Sequence, residues 1–175
     1  MTDLIFTGYR AFEAAPDDAL RLKWLSMAMG TMRSMAVQKS LASVAEFNLG
    51  INREIKFDNR ESEEMSAWQT PQETLTRGTG DCKDYALLKY SLLMHKGITA
   101  QVVFGEIRKI LANQHHAWCA ALIEGSWYAL DNMFDHLEPI GTYLNWTPKA
   151  AMHDDRVVRF VREEAFSINE RLGLT

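Results

Sequence analysis

The sequence predicts an α+β fold, with N-terminal helices and one later helix packed on an antiparallel sheet. Three observations carry this. Apolar residues recur at three- and four-residue intervals through the first third and again from Cys82. From Ile98 the period shortens to that of strands, in ITAQVVFGEI, HHAWCAALI and WYALDNM. Between the last two runs, Glu124, Gly125 and Ser126 read as a hairpin turn.

In chain order, Ala19 to Met29 and Leu41 to Ile55 read as packing helices; the second aligns Leu41, Val44, Ala45, Phe47 and Ile51. Met27, Met29, Met32 and Met35 read as core filling. FDNRESEEMS, from Phe57 to Ser66, is polar and acidic and reads as a solvated loop. After Pro71, QETLTRG reads as a short helix closed by Gly78. Asp81 is a good N-cap for a helix whose first residue is Cys82, whose apolar stripe is Tyr85, Ala86, Leu88, Leu92 and Leu93, and whose stop is Lys96 and Gly97. From Pro139 on, turn residues surround one predicted strand, RVVRFV. The whole, 1–175, reads as one domain with a helical part at about 1–56.

Composition narrows the function classes. With 47% hydrophobic and 24% charged residues and a formal net charge of -4, the chain has no basic field to recruit nucleic acid. No apolar run reaches a membrane span, and the N-terminus mixes acids and bases too early for a secretory signal. Two cysteines, Cys82 and Cys119, exclude a disulfide scaffold, and their spacing is not that of a metal clip.

The stretch GTGDCKDYALLKY, residues 78–90, places Cys82 where a helix offers unpaired N–H groups and about half a positive charge, which lower a thiol pKa. A nucleophilic thiol also needs an imidazole, and the imidazole an orienting group. His116 and Asp131 lie on successive predicted strands and share one face by residue parity, given a hairpin loop of even length. A four-residue loop would bring them within diagonal reach, so a catalytic reading predicts a loop longer than the minimum, or a bulge. Against it stands a plainer reading, in which Cys82 packs and His116 is an ordinary strand histidine. His115 is the rival base on the opposite face; Cys119 reads as core with Ala117 and Ala121; His95, His136 and His153 stand alone.

The segments WQTPQETLTRGTGDCKDYALLKYSLL, KGITAQVVFG and HHAWCAALIEGSWYALDN resemble the bacterial transglutaminase-like cysteine proteinases, the family that includes LapG-type periplasmic adhesin proteases. The resemblance runs from about Leu41 to Asn132, and its most specific part is GDCxDYA followed by HAW and LDN. It implies a papain-like, transglutaminase-like fold, a catalytic triad on Cys82, His116 and Asp131, and peptide-bond hydrolysis. It further implies an exported adhesin as protein substrate, a biofilm setting, calcium, and an inner-membrane receptor for cyclic dinucleotide as partner. Family members carry GDCED; here Lys83 replaces the glutamate, leaving Asp81 and Asp84 as weakened calcium candidates, with Glu61, Glu63 and Glu64 as distant acids. The family location is periplasmic, which this sequence meets only as a trimmed mature chain; otherwise the location is cytoplasmic. For the oxyanion, the Cys82 N–H is the default donor, and Trp68 N–H or the Gln69 amide the second candidate, with Trp68 equally readable as a core anchor. Two other readings stay open: acyl transfer to an amine, and a non-catalytic peptide-binding module.

Overall fold

The computed structural model describes residues 6, 9–14, 37–59, 68–108, 114–142, 146–153 and 156–162. After strand β1 (Tyr9–Ala14), helix α1 (Leu41–Glu54) begins at Ser40, whose side chain accepts from the Ser43 N–H. Its buried positions are Val44, Phe47, Asn48 and Ile51; of the stripe expected from the sequence, Ala45 is half-buried and Leu41, at the open first turn, is exposed. Strand β2 (Lys56–Phe57) then pairs in parallel with β3 (Thr79–Gly80). Between them, α2 (Pro71–Arg77) starts at a Thr70–Glu73 capping box and ends at Gly78. Helix α3 (Cys82–His95) follows at once. The remaining strands are β4 (Ala100–Ile107), β5 (Gln114–Ile123), β6 (Ser126–Leu130), β7 (Glu138–Pro139), β8 (Trp146–His153) and β9 (Arg156–Arg162).

Together with β1 they make a seven-stranded sheet in the order β1-β9-β8-β4-β5-β6-β7, with antiparallel pairing throughout. Alternation along the strands divides the core into two layers. Ala117, Cys119, Ala121 and Leu130 face α1 and α3, meeting Val44, Ile51, Leu87 and Leu88. Trp118, Ala120, Ala129 and Val103 point the other way, onto Phe6, Trp146 and Phe160. Each fully buried Leu, Val or Phe contributes about 1.5–3 kcal/mol of transfer free energy.

The sequence reading and the structure part at the hairpin loop and at two long strands. The β5–β6 loop is only Glu124–Gly125, both at positive φ (50° and 83°), with Ile123 paired to Ser126. The longer loop expected above is therefore wrong. The pairing survives because two- and four-residue loops with the same centre share one register. Strands β8 and β1 were not anticipated. In β8, Pro148 breaks the strand pattern of WTPKAAMH, but it sits at a bulge: Phe104 pairs with Ala150 and Gly105 with Pro148, leaving Lys149 as the extra residue. The predicted helix at 19–29, its methionine cluster and the acids Glu61, Glu63 and Glu64 lie outside the described residues.

Candidate active site

The start of α3 is tightly built. Asp81, the N-cap, accepts the Lys83 N–H at 3.2 Å, while Asp84 reaches back to the Asp81 N–H at 3.1 Å and also takes the Gln69 N–H at 3.0 Å. Asp84 thus locks the chain before α2 to the start of α3. It has no exposed surface, and burial pushes its carboxyl up while these N–H bonds pull it down. The Lys83 ammonium pairs with the other oxygen of Asp81. Within this frame Cys82 is partly exposed at the first helical position and packs against the helix-side core.

His116 is 6% exposed, on the face of β5 shared with Trp118. Its ring stacks on Trp118 at 6.2 Å and lies 4.4 Å from Trp146 of β8. Asp131 follows the last residue of β6, and His116 Nε2 meets both of its oxygens, at 3.0 and 2.9 Å. The Cys82 side chain is near enough to His116 to help hold its charged form. Burial opposes charge on His116, but the Asp131 bond, the Cys82 contact and the charges of both outweigh it and raise its pKa to about 9. Asp131 is itself pinned, its Oδ1 accepting the Met133 N–H at 2.9 Å and its backbone carbonyl the Asn52 amide at 2.9 Å.

The structure therefore brings Cys82, His116 and Asp131 together, across the seam between the two core layers. Gly105, the cross-strand neighbour of His116 in β4, marks a close approach of strands beside the Trp118 ring. A Cβ there would lie 2.4 Å from the Thr147 carbonyl oxygen and 3.1 Å from the Trp118 ring. Trp146 and Gly105 escaped the sequence reading. The one signal was the Gly in the strand run VVFGEI, which marks a bulge or a close approach.

The remaining candidates separate clearly. His115 is exposed, as are His95 and His136; His153 is buried and bonded through Nδ1 to the Ala100 carbonyl at 2.8 Å. Cys119 is fully buried in the helix-side core, where burial pushes its thiol up to about 12. Trp68 packs on that core and lies 5.4 Å from the Phe104 ring, which is the anchor reading. The Gln69 N–H is held by Asp84, and the residue is buried. Among the described residues no three His, Cys, Asp or Glu side chains gather to hold a metal ion, and no helix is long and apolar enough to cross a membrane.

A family model described as a transglutaminase-like domain matches residues 23–160. No curated protein sequence matches the chain. Among solved structures, the fold is similar to that of LapG from Legionella pneumophila at TM-score 0.59 and 16% identity, covering 86% of this chain and 84% of that one. An EGTA-treated form of the same protein gives TM-score 0.59 and 16% identity over 86% and 85%. Its calcium-bound form gives TM-score 0.57 and 16% identity over 76% and 83%.

Proposed function

The chain belongs to the transglutaminase-like domain family, and we propose that it is a thiol-dependent peptidase in which Cys82, His116 and Asp131 act as one catalytic unit. The observation that carries the reading is the arrangement of His116: Nε2 held by both oxygens of Asp131, Cys82 near enough to help hold its charge, and a pKa raised to about 9. An imidazole of that basicity beside a helix-start thiol favours a thiolate and imidazolium pair at neutral pH.

The steps follow. The Cys82 thiolate attacks the peptide carbonyl carbon, and the oxyanion is received by the Cys82 N–H with the Gln69 side-chain amide or the Trp68 N–H as second donor. His116 gives its proton to the leaving nitrogen as the C–N bond breaks, leaving a thioester. Water then adds, His116 takes its proton, and collapse releases the acid and restores the ion pair. Asp131 fixes the tautomer and orientation of His116 throughout. With an amine instead of water the same thioester gives transamidation, so acceptor access decides between the two. The substrate we assign is a protein, of the exported adhesin kind that the sequence resemblance implies, with a cyclic-dinucleotide receptor as the regulatory partner and the periplasm as the place of action.

For calcium the residues fit poorly. LapG has calcium-bound and EGTA-treated forms, but here both oxygens of Asp84 accept backbone N–H groups and Asp81 holds the Lys83 N–H and ammonium. A cation needing six to eight oxygen ligands would have to displace them. No step of the mechanism is routed through it.

The test is alkylation and turnover together. Cys82 should react with iodoacetamide at mildly acidic pH while Cys119 does not, and Cys82→Ala should fold yet cleave no protein substrate. A folded Cys82→Ala with full activity would end the proposal. A Cys82 inert below neutral pH would favour the non-catalytic binding module.

A further inference from the structure

A cation lies buried behind the catalytic set. Lys89 is seven residues beyond Cys82 in α3, two turns along the same face, and has no exposed surface. Its Nζ donates to Asn48 Oδ1 and Asn52 Oδ1, each at 2.7 Å, both on α1. An asparagine whose oxygen faces an ammonium must turn its NH2 toward an acceptor. Asn48 Nδ2 donates to the Phe134 carbonyl at 3.1 Å, and Asn52 Nδ2 to the carbonyls of Asp131 and Phe134, both at 2.9 Å. The relay ends on the backbone of the residue whose side chain holds His116.

Keeping an amine here is expensive, because burial disfavours its charge and pushes the Lys89 pKa down to about 7, against the pull of nearby Asp131. Methionine would fill the same space without that cost. The titratable groups around the ammonium are Asp131 and Asp135 after β6, Cys119 on β5, and Tyr85 on α3, whose ring centroid is 5.7 Å away.

We propose that Lys89, acting through Asn48 and Asn52, is a positioning residue for Asp131: it fixes residues 131–134 so that the carboxylate faces His116. The inference rests on the thiolate and imidazolium reading given above. Losing the lysine loosens residues 131–134, and a loosened Asp131 weakens the charged form of His116 that stabilises the Cys82 thiolate.

The experiment is the rate of Cys82 alkylation by iodoacetamide as a function of pH, read by mass spectrometry on the full chain. In Lys89→Met, folded by circular dichroism, the pH midpoint is expected to rise by about one unit. Asn52→Ala keeps the lysine, truncates a half-buried side chain, and should shift the midpoint in the same direction by less. A packing role would lower the melting temperature and leave both midpoints alone. A folded Lys89→Met with the wild-type midpoint overturns the inference. If Lys89→Met does not fold, an Asn52→Ala midpoint equal to wild type overturns it instead. A wild type unlabelled below neutral pH sinks the ion-pair reading itself, and this inference with it.

Discussion

Cys82 and Cys119 lie against the same core layer, yet their surroundings differ sharply. Cys119 sits mid-strand with no exposed surface, and burial holds its proton on up to about pH 12. Cys82 sits at a helix start, partly exposed, beside an imidazole whose own pKa is about 9. Lys89 is near enough to Cys119 to lower its pKa, but not enough to offset burial. A cation in the neighbourhood does not outweigh burial; on the proposed reading Cys82 differs by having the imidazole beside it at a place where water still reaches.

The sharpest way to break this contrast is to exchange the losses. Cys82→Ala should cut turnover by about 10⁴-fold or more, whereas Cys119→Ala should leave turnover intact; peptidase assays on both folded variants check it. Next comes the support of the imidazole. Asp131→Asn should lower turnover by about 10²–10⁴-fold, with the alkaline limb of the kcat/KM profile, near pH 9 in the wild type, displaced downward. The sign follows from the raised pKa. The folded chain binds the extra proton between the ordinary 6.5 and about 9, so the pair's stabilisation is complete below pH 6.5 and lost as pH climbs through 9. An unshifted limb in Asp131→Asn would make the aspartate structural only.

Two smaller effects sharpen the contrast. Gly105→Ala must force β4 away from Thr147, costing about 1–3 kcal/mol and lowering the melting temperature by several degrees. It should also slow alkylation of Cys82, because the added methyl presses on the Trp118 ring against which His116 stacks. Smallest of all, chelation by EGTA should leave activity within about twofold of the untreated protein, given the engaged Asp81 and Asp84 carboxylates. Micromolar calcium binding in a titration, lost in Asp84→Ala, would reverse that expectation.

The parts of this site that were legible in the sequence are those written locally. Asp81 as cap, Cys82 as first helical residue and the stop at Lys96–Gly97 follow from capping rules and period, and the α3 boundaries agree. The parity placing His116 and Asp131 on one face needed only an even loop. The illegible parts depend on partners far apart in the chain. Pro148 argued against a strand until the bulge opposite Phe104 and Gly105 supplied a place for it. β1 gains its identity only by pairing with β9. Lys89, between Leu88 and Tyr90, resembles any solvent-facing lysine until Asn48 and Asn52 arrive from α1.

The minimal Glu124–Gly125 turn has a consequence for biosynthesis. His116 and Asp131 are 15 residues apart within one hairpin, the kind of unit that closes in microseconds once made. Cys82 leaves the ribosome earlier, and at 5–20 residues per second the hairpin is complete only seconds later. During that interval the thiol has no base beside it. On the proposed reading the nascent chain is chemically quiet toward neighbouring polypeptides, and the sulfur would become a nucleophile only when His116 and Asp131 have been translated and docked.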